Sequence, residues 1–244
     1  MPSLSIVVAS MNRLAQAKVF IPTAASAIGA ADEIVLVDAD DPENVSSWAL
    51  SLKEPKLTIV QVKPLTWFEP NRLRNIGIRN AVGDLVIVSD IDFLMPQQLL
   101  TQCRALELNH FLVQPSVIGS YGWLCMWWTD WRRVNGYEEA LSGYGYDDFY
   151  MRDSLNQSGL KMVLAESRCA PIGAGTNARS YPDDKQTTTH HVNMRLGKAL
   201  RILHNFRGNH ARNFGWGGEV LQRSEARNNA GETRSQLSRT WWRG

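Results

Sequence analysis

Two acid pairs are the residues of this chain best suited to chemistry. The first closes "LVIVSDID" (residues 85–92), where Asp90 and Asp92 end an apolar run with only Ile91 between them. Side chains two apart in an extended segment point the same way. A turn after the strand can converge both carboxylates on one cation. Carboxylate oxygens suit hard ions such as Mg2+ or Mn2+, and such an ion would neutralise a diphosphate. The plainer alternative is two solvated loop acids ahead of the helix at Pro96. The second pair, Asp147 and Asp148, lies in "GYGYDDFYMRDSL", after two glycines and at the start of a helix. One of them can act as general base beside an acceptor hydroxyl. The alternative is helix-start stabilisation, since acids are favourable in the first turn. Tyr144 and Tyr146 offer flat apolar faces of the kind that sugar rings stack on.

Two further groups could serve the acids. In "NRLRNIGIRNAVGD" (residues 71–84), Asn71, Arg72 and Arg74 open a helix. Helix N-termini favour anions through free N–H groups and the dipole. Ordinary surface arginines are the alternative. In "THHVNMR" the histidines are adjacent, so at most one of His190 and His191 faces a given site. Histidine is a common metal ligand; a solvated or structural pair is the other reading.

The elements that must position these groups alternate. "LSIVVAS" (Leu4 to Ser10), "EIVLVDADD" (Glu33 to Asp41), "KLTIVQV" (Lys56 to Val62) and "LVIVSDID" are β-rich apolar runs. Helix-like segments separate them: Asn12 to Ala30, "ENVSSWALSLK", and Asn71 to Asp84, the last expected to stop at Gly83. "PQQLLTQCRALEL" opens a further helix at Pro96. This pattern predicts an α/β fold, a mostly parallel central sheet with helices on both faces. The near-continuous apolar strands fit such double burial. Ligands of these sheets bind beyond the carboxyl ends of the strands, where Asp38, Asp90 and Asp92 fall.

Composition narrows the partners. The 244 residues carry a net charge of +2, so no global field demands nucleic acid or membrane. No apolar run reaches membrane-spanning length, and no secretory leader is expected. Three widely spaced cysteines, Cys103, Cys125 and Cys169, fit reduced thiols in a cytoplasmic protein. Residues 195–244 hold ten Lys or Arg against three Glu. A helix followed by a polar, basic extension is expected there. Residues 206–244 would contact an anionic acceptor, a membrane surface or a partner, with a solvated tail as the alternative. Trp241 and Trp242 beside Arg239 and Arg243 suit a membrane boundary.

The order of these motifs resembles a GT-A glycosyltransferase over roughly residues 3–205. "SIVVASMNR" and "EIVLVDADDPE" are similar to family 2 glycosyltransferases. Asn71-Arg72, Asn75-Ile76-Gly77, Asp90-x-Asp92, Asn135-Gly136-Tyr137, the Tyr144 to Asp148 run and His190/His191 follow the order of the β-1,4-galactosyltransferases. The resemblance implies a GT-A domain at 1–205, with a nucleotide-binding half (1–110) and an acceptor and metal half (111–205), and an extension at 206–244. It implies sugar transfer from a nucleotide-diphosphate sugar, most simply UDP-linked, to a saccharide or other hydroxyl acceptor. Mn2+ or Mg2+ would be held by Asp92, Asp90 and His191 or else His190. Arg13, Asp38, Asn71, Arg72 and Asp90 would bind the donor. Tyr144 and Tyr146, which stand where the family has Trp and Gly, would face the acceptor. Asp148 would be the base of an inverting displacement, with Asp147 beside it. A pyrophosphorylase would need a Gly-rich loop that "VVASMNRLAQA" lacks. A non-catalytic carbohydrate-binding protein on the same fold is the remaining alternative.

Overall fold

The computed structural model describes residues 1–40, 43–63, 65, 68–115, 122–143, 145–172, 183–207 and 217–225. In chain order the elements are β1 (Leu4–Ser10), α1 (Leu14–Ala27), β2 (Glu33–Asp38), α2 (Val45–Ser51), β3 (Leu57–Gln61), α3 (Pro70–Asn80), β4 (Leu85–Asp90), β5 (Phe93–Leu94) and α4 (Gln97–Arg104). There follow β6 (His110–Val113), β7 (Leu124–Trp127), α5 (Trp128–Arg133), α6 (Asp147–Gln157), β8 (Lys161–Leu164), β9 (Ala170–Pro171), α7 (Asp183–Arg207) and β10 (Glu219–Gln222).

The main sheet runs β10-β3-β2-β1-β4-β7-β6-β8. Strands β3, β2, β1 and β4 are mutually parallel, and β7 and β10 run antiparallel to their inner neighbours. Side chains alternate across the sheet and fill two cores. Ile6 and Val8 of β1 meet Phe20 and Ile21 of α1 and Leu99 of α4 on one face. Val7 meets Leu73 and Ile76 of α3, Trp131 of α5 and Leu155 of α6 on the other. Both faces are therefore covered, and the fold class read from the sequence holds. A Cβ on Gly77 would collide with Val7, so α3 packs directly on β1.

Three boundaries differ from the sequence reading. Helix α3 ends at Asn80, with Ala81 already extended, rather than at Gly83. Gly83 instead lies against β1: an added Cβ would come within 2.6 Å of the Leu4 carbonyl carbon and the Ser5 nitrogen. Strand β4 stops at Asp90, which puts Asp92 in the following turn. The basic extension contributes β10, which seals the β3 edge. Ser224 just beyond it donates through Oγ to the buried Glu33 carboxylate (2.7 Å). None of the described helices is long and apolar enough to cross a membrane.

Candidate active site

Arg74 is where the two acid pairs meet. It sits in the second turn of α3, with its side chain only 8% exposed. One guanidinium nitrogen, Nη1, donates to Asp147 Oδ2 (2.7 Å) and Asp148 Oδ1 (3.2 Å). The other, Nη2, donates to Asp90 Oδ1 (3.3 Å). Its guanidinium carbon stands 5.2 Å from the centre of the Tyr137 ring. A planar fork with five donors suits several carboxylates at once. Burial alone would lower the arginine's pKa, but Asp148, Tyr137, Asp147 and Asp90 together hold it well above its usual range.

The same crowding acts on the acids. Asp148 is pushed up to about 7, first by burial and then by Asp147, with Arg74 opposing. Asp90 is also raised, by burial and by Asp92, again against Arg74. A carboxylate held near neutral pH is suited to take a proton under physiological conditions. Gly122 lines the same spot. A Cβ there would lie 2.6 Å from Arg74 Nη2 and 3.3 Å from both Asp148 Oδ1 and Asp90 Oδ2.

Asparagines of α3 tie the helix to the chain that leads to the second acid pair. Asn75 Nδ2 donates to the Tyr137 carbonyl (2.9 Å) and Glu139 Oε1 (2.8 Å), and its Oδ1 accepts from the Tyr137 N–H (2.8 Å). Asn71 is buried, and its Nδ2 donates to the carbonyls of Glu138 and Leu141 (3.0 Å each). These bonds occupy the amide NH2 of Asn71, while its Oδ1 is buried with no hydrogen-bond partner among the described residues. Arg72 pairs with Glu69 one turn back (3.6 Å).

The remaining candidates are spread around this centre. Asp90 and Asp92 pair with different arginines. Asp92, 41% exposed, pairs with Arg13 (Nε to Oδ1 3.1 Å) while Asp90 turns to Arg74. Asp38 is buried at the end of β2 and accepts from the N–H (3.1 Å) and Oγ–H (2.5 Å) of Ser46 in α2. His190 lies over Gly145, where an added Cβ would strike its Nδ1, whereas His191 is exposed. Tyr146 caps α6 in the left-handed region, with Phe149 stacked at 6.5 Å and the Arg201 guanidinium 5.6 Å from its ring. Tyr144 lies outside the described residues, as do Arg239, Trp241, Trp242 and Arg243.

Among the described residues no group of three or more His, Cys, Asp or Glu is gathered to hold a metal ion. The charges nevertheless suit a cation. Four carboxylates (Asp90, Asp92, Asp147, Asp148) face three arginines: Arg13 and Arg74 in ion pairs, and Arg152 near Asp148. The surplus is negative, and its oxygens are the hard donors that Mg2+ and Mn2+ prefer.

Sequence reasoning placed Arg74 at an anion-favouring helix start and missed its role as the cation among three acids. The available signal was its spacing. Arg74 precedes Gly77 by three residues and Ile78 by four, so it shares their buried face, while Arg72 is turned about 200° away. Gly122 carried no signal, because close approach of backbone to a side chain leaves no pattern.

Known proteins place the chain. No curated protein matches it in sequence. Solved structures match the fold. One is a mannosyltransferase from Pyrobaculum calidifontis in complex with GDP-Man and Mn2+, 15% identical, with a TM-score of 0.60 over 86% of this chain and 66% of that one. Another is the S. aureus TarS fragment 1-349 in complex with UDP-GlcNAc, 14% identical, with a TM-score of 0.59 over 81% of this chain and 66% of that one. A third is the catalytic domain of Drosophila β1,4-galactosyltransferase 7 with xylobiose, 14% identical, with a TM-score of 0.54 over 77% and 79%. The chain thus spans about two thirds of the first two structures' length. These are GT-A folds, as the sequence resemblance implied. The profile of Glycosyl transferase family 2 matches residues 5–150, more than half of the sequence, and the chain belongs to that family.

Proposed function

We propose that this protein transfers a sugar from a nucleotide-diphosphate donor, UDP-linked in the simplest reading, to an acceptor hydroxyl with inversion. The observation that carries the proposal is the meeting of Asp90 with Asp147 and Asp148 on Arg74. It joins the end of β4, where this fold receives a donor, to the helix start that offers a base.

Asp148 removes the proton of the acceptor hydroxyl. The freed oxygen attacks the anomeric carbon as the bond to the diphosphate breaks, and a single displacement inverts the centre. The raised pKa of Asp148 supports this role: the group is basic enough to accept a proton and still ionises near neutral pH. Asp147, more firmly held by Arg74, orients the helix start. Arg13 and Asp38, at the carboxyl-end side of the sheet, and Arg72 in the first turn of α3 would bind the donor. Asp92 and Asp90, with one histidine of α7, would hold Mn2+ or Mg2+, which supplies charge neutralisation for the leaving diphosphate. Contact with Gly145 supports His190 for that place over His191, the residue favoured by the resemblance.

The test is release of nucleotide from UDP-, GDP- and dTDP-sugars in the presence of Mn2+. Asp148→Asn is expected to lower kcat by about 10²–10⁴-fold with the donor KM nearly unchanged. Asp92→Ala, or EDTA, should abolish turnover. Early product from an α-linked donor should be a β anomer by proton NMR. An α product would overturn inversion. Saccharide binding with no nucleotide release from any donor would favour the non-catalytic reading.

A further inference from the structure

We infer that Asn193 is a positioning residue for the acid pair, acting from α7 on the loop that carries Asp147 and Asp148; this rests on Asp148 being the base. Four residues of α7 recur every fourth position, Thr189, Asn193, Gly197 and Arg201, and so form one stripe along the helix. Each of the four meets the chain around the acid pair. Thr189 closes on Gly143, where an added Cβ would lie 2.8 Å from its Cγ2. Gly197 leaves room for the Tyr146 ring, whose Cε1 would lie 2.5 Å from an added Cβ. Arg201 lies over that ring and pairs with Asp153 of α6.

Asn193 is the polar member at the centre. Only 3% exposed, it donates through Nδ2 to the Ser142 carbonyl (3.0 Å) and the Gly145 carbonyl (3.1 Å). One primary amide therefore bridges both ends of the turn that precedes the acids. The turn needs outside fixing. Gly143 and Gly145 have φ of 73° and 91°, and Tyr146 follows at 69°. The left-handed region is sparsely populated by residues with side chains and persists only where surroundings impose it. From the far side Arg74 holds Asp147 and Asp148. The acid pair is thus set between a cation on α3 and a hydrogen-bonding amide on α7, and Asn193 fixes the direction in which the pair leaves the turn.

Asn193→Asp tests this with almost no change in volume, because it turns a double donor into a carboxylate facing two carbonyl oxygens. In the full-length protein without ligands, hydrogen exchange should quicken about tenfold or more in peptides spanning 142–150, as expected for two lost hydrogen bonds. The central strands β1 to β4 should be unchanged. With the donor that the parent protein turns over, kcat should fall about tenfold and the donor KM stay level. In the Asp148→Asn background the second change should cost less than about twofold, because a positioning residue acts only through the group it positions. Asn193→Leu, uncharged and close in volume, is held to the same outcomes should Asn193→Asp not fold. Unchanged loop exchange overturns the inference. So does an equal fractional loss of kcat in both backgrounds, which is what a merely structural residue would give. Near-normal kcat in Asp148→Asn alone would instead reject the base, and loop exchange would then still decide whether Asn193 holds the turn.

Discussion

The two halves of the molecule hold their acids by different means. In the N-terminal half, Asp38 and Asp90 end strands buried on both faces, so hydrophobic packing of β1, β2 and β4 fixes their place. In the other half, Asp147 and Asp148 follow a turn of positive φ. Side-chain amides reach across to hold the chain near them, Asn75 and Asn71 from α3 and Asn193 from α7. The sheet edges differ in the same sense. The β3 edge is covered by β10 and its Ser224–Glu33 tie. On the far edge Met162, Val163 and Leu164 of β8 are exposed. A strand-end acid inherits the rigidity of the sheet. A turn-borne acid is only as well placed as the polar contacts around it.

Arg74 bridges the halves, and its loss is the largest effect expected. Arg74→Leu leaves Asp90, Asp147 and Asp148 without their cation in a half-closed site. Breaking a buried ion pair by removing one partner costs about 3–5 kcal/mol. Urea unfolding should report that loss, and activity should vanish with it. A variant as stable as the parent would mean that solvent already screens the three acids. The halves would then be coupled through packing alone.

The difference between the halves also governs how much could be read in advance. Strands β1, β2, β3 and β4 were legible because a strand buried on both faces is written as a continuous apolar run. The placement of Asp38, Asp90 and Asp92 near strand ends followed from that alone. The spacing of Asp90 and Asp92 gave no sign that each would pair with a different arginine. The acid pair at the start of α6 was legible from Gly-x-Gly followed by acids. Its fixings were not: an asparagine that donates to backbone looks like any surface asparagine until the carbonyls it meets are placed. Strands β8 and β10 are four residues each, one fully exposed and one set in a polar stretch. Neither shows the alternation that marks a longer half-buried strand.

An intermediate effect is expected at the sealed edge. Deleting residues 217–244 removes β10, uncovers β3 and takes one donor from the buried Glu33 carboxylate, whose others are Ser5, Thr58 and the Val82 N–H. Hydrogen bonds to charged groups are worth about 1.5–3 kcal/mol, so a loss of that order is expected in urea. Deleting only 226–244 leaves these contacts in place and should change stability little. Equal stability of the two truncated proteins would show that the β10 edge contributes nothing to the N-terminal half.

The smallest effect expected is a gain, and it separates the halves by pH. Asp148 is held up to about 7 in the folded protein, chiefly by burial, against about 3.9 for an unfolded aspartate. Between those values the folded state binds the extra proton, so stability falls as pH rises from about 4 to about 7 and then levels. Asp148→Asn removes this slope. Without metal, the variant should match the parent near pH 4 and melt a few degrees higher at pH 8, on a scale of about 2–4 °C per kcal/mol for a chain of this size. The side chain is 22% exposed and Arg74 opposes the shift, so the gain stays modest. Asp38→Asn, by contrast, strips acceptor strength from the Ser46 hydrogen bonds at the end of β2. It should lower the melting temperature at pH 8. An acid with matched donors, such as Asp38, forms one group; Asp148, crowded by burial and by Asp147 so that its charged form weakens the fold, forms the other. A Tm for Asp148→Asn at pH 8 equal to or below that of the parent would place Asp148 in the first group and remove the reason to think it poised as a base.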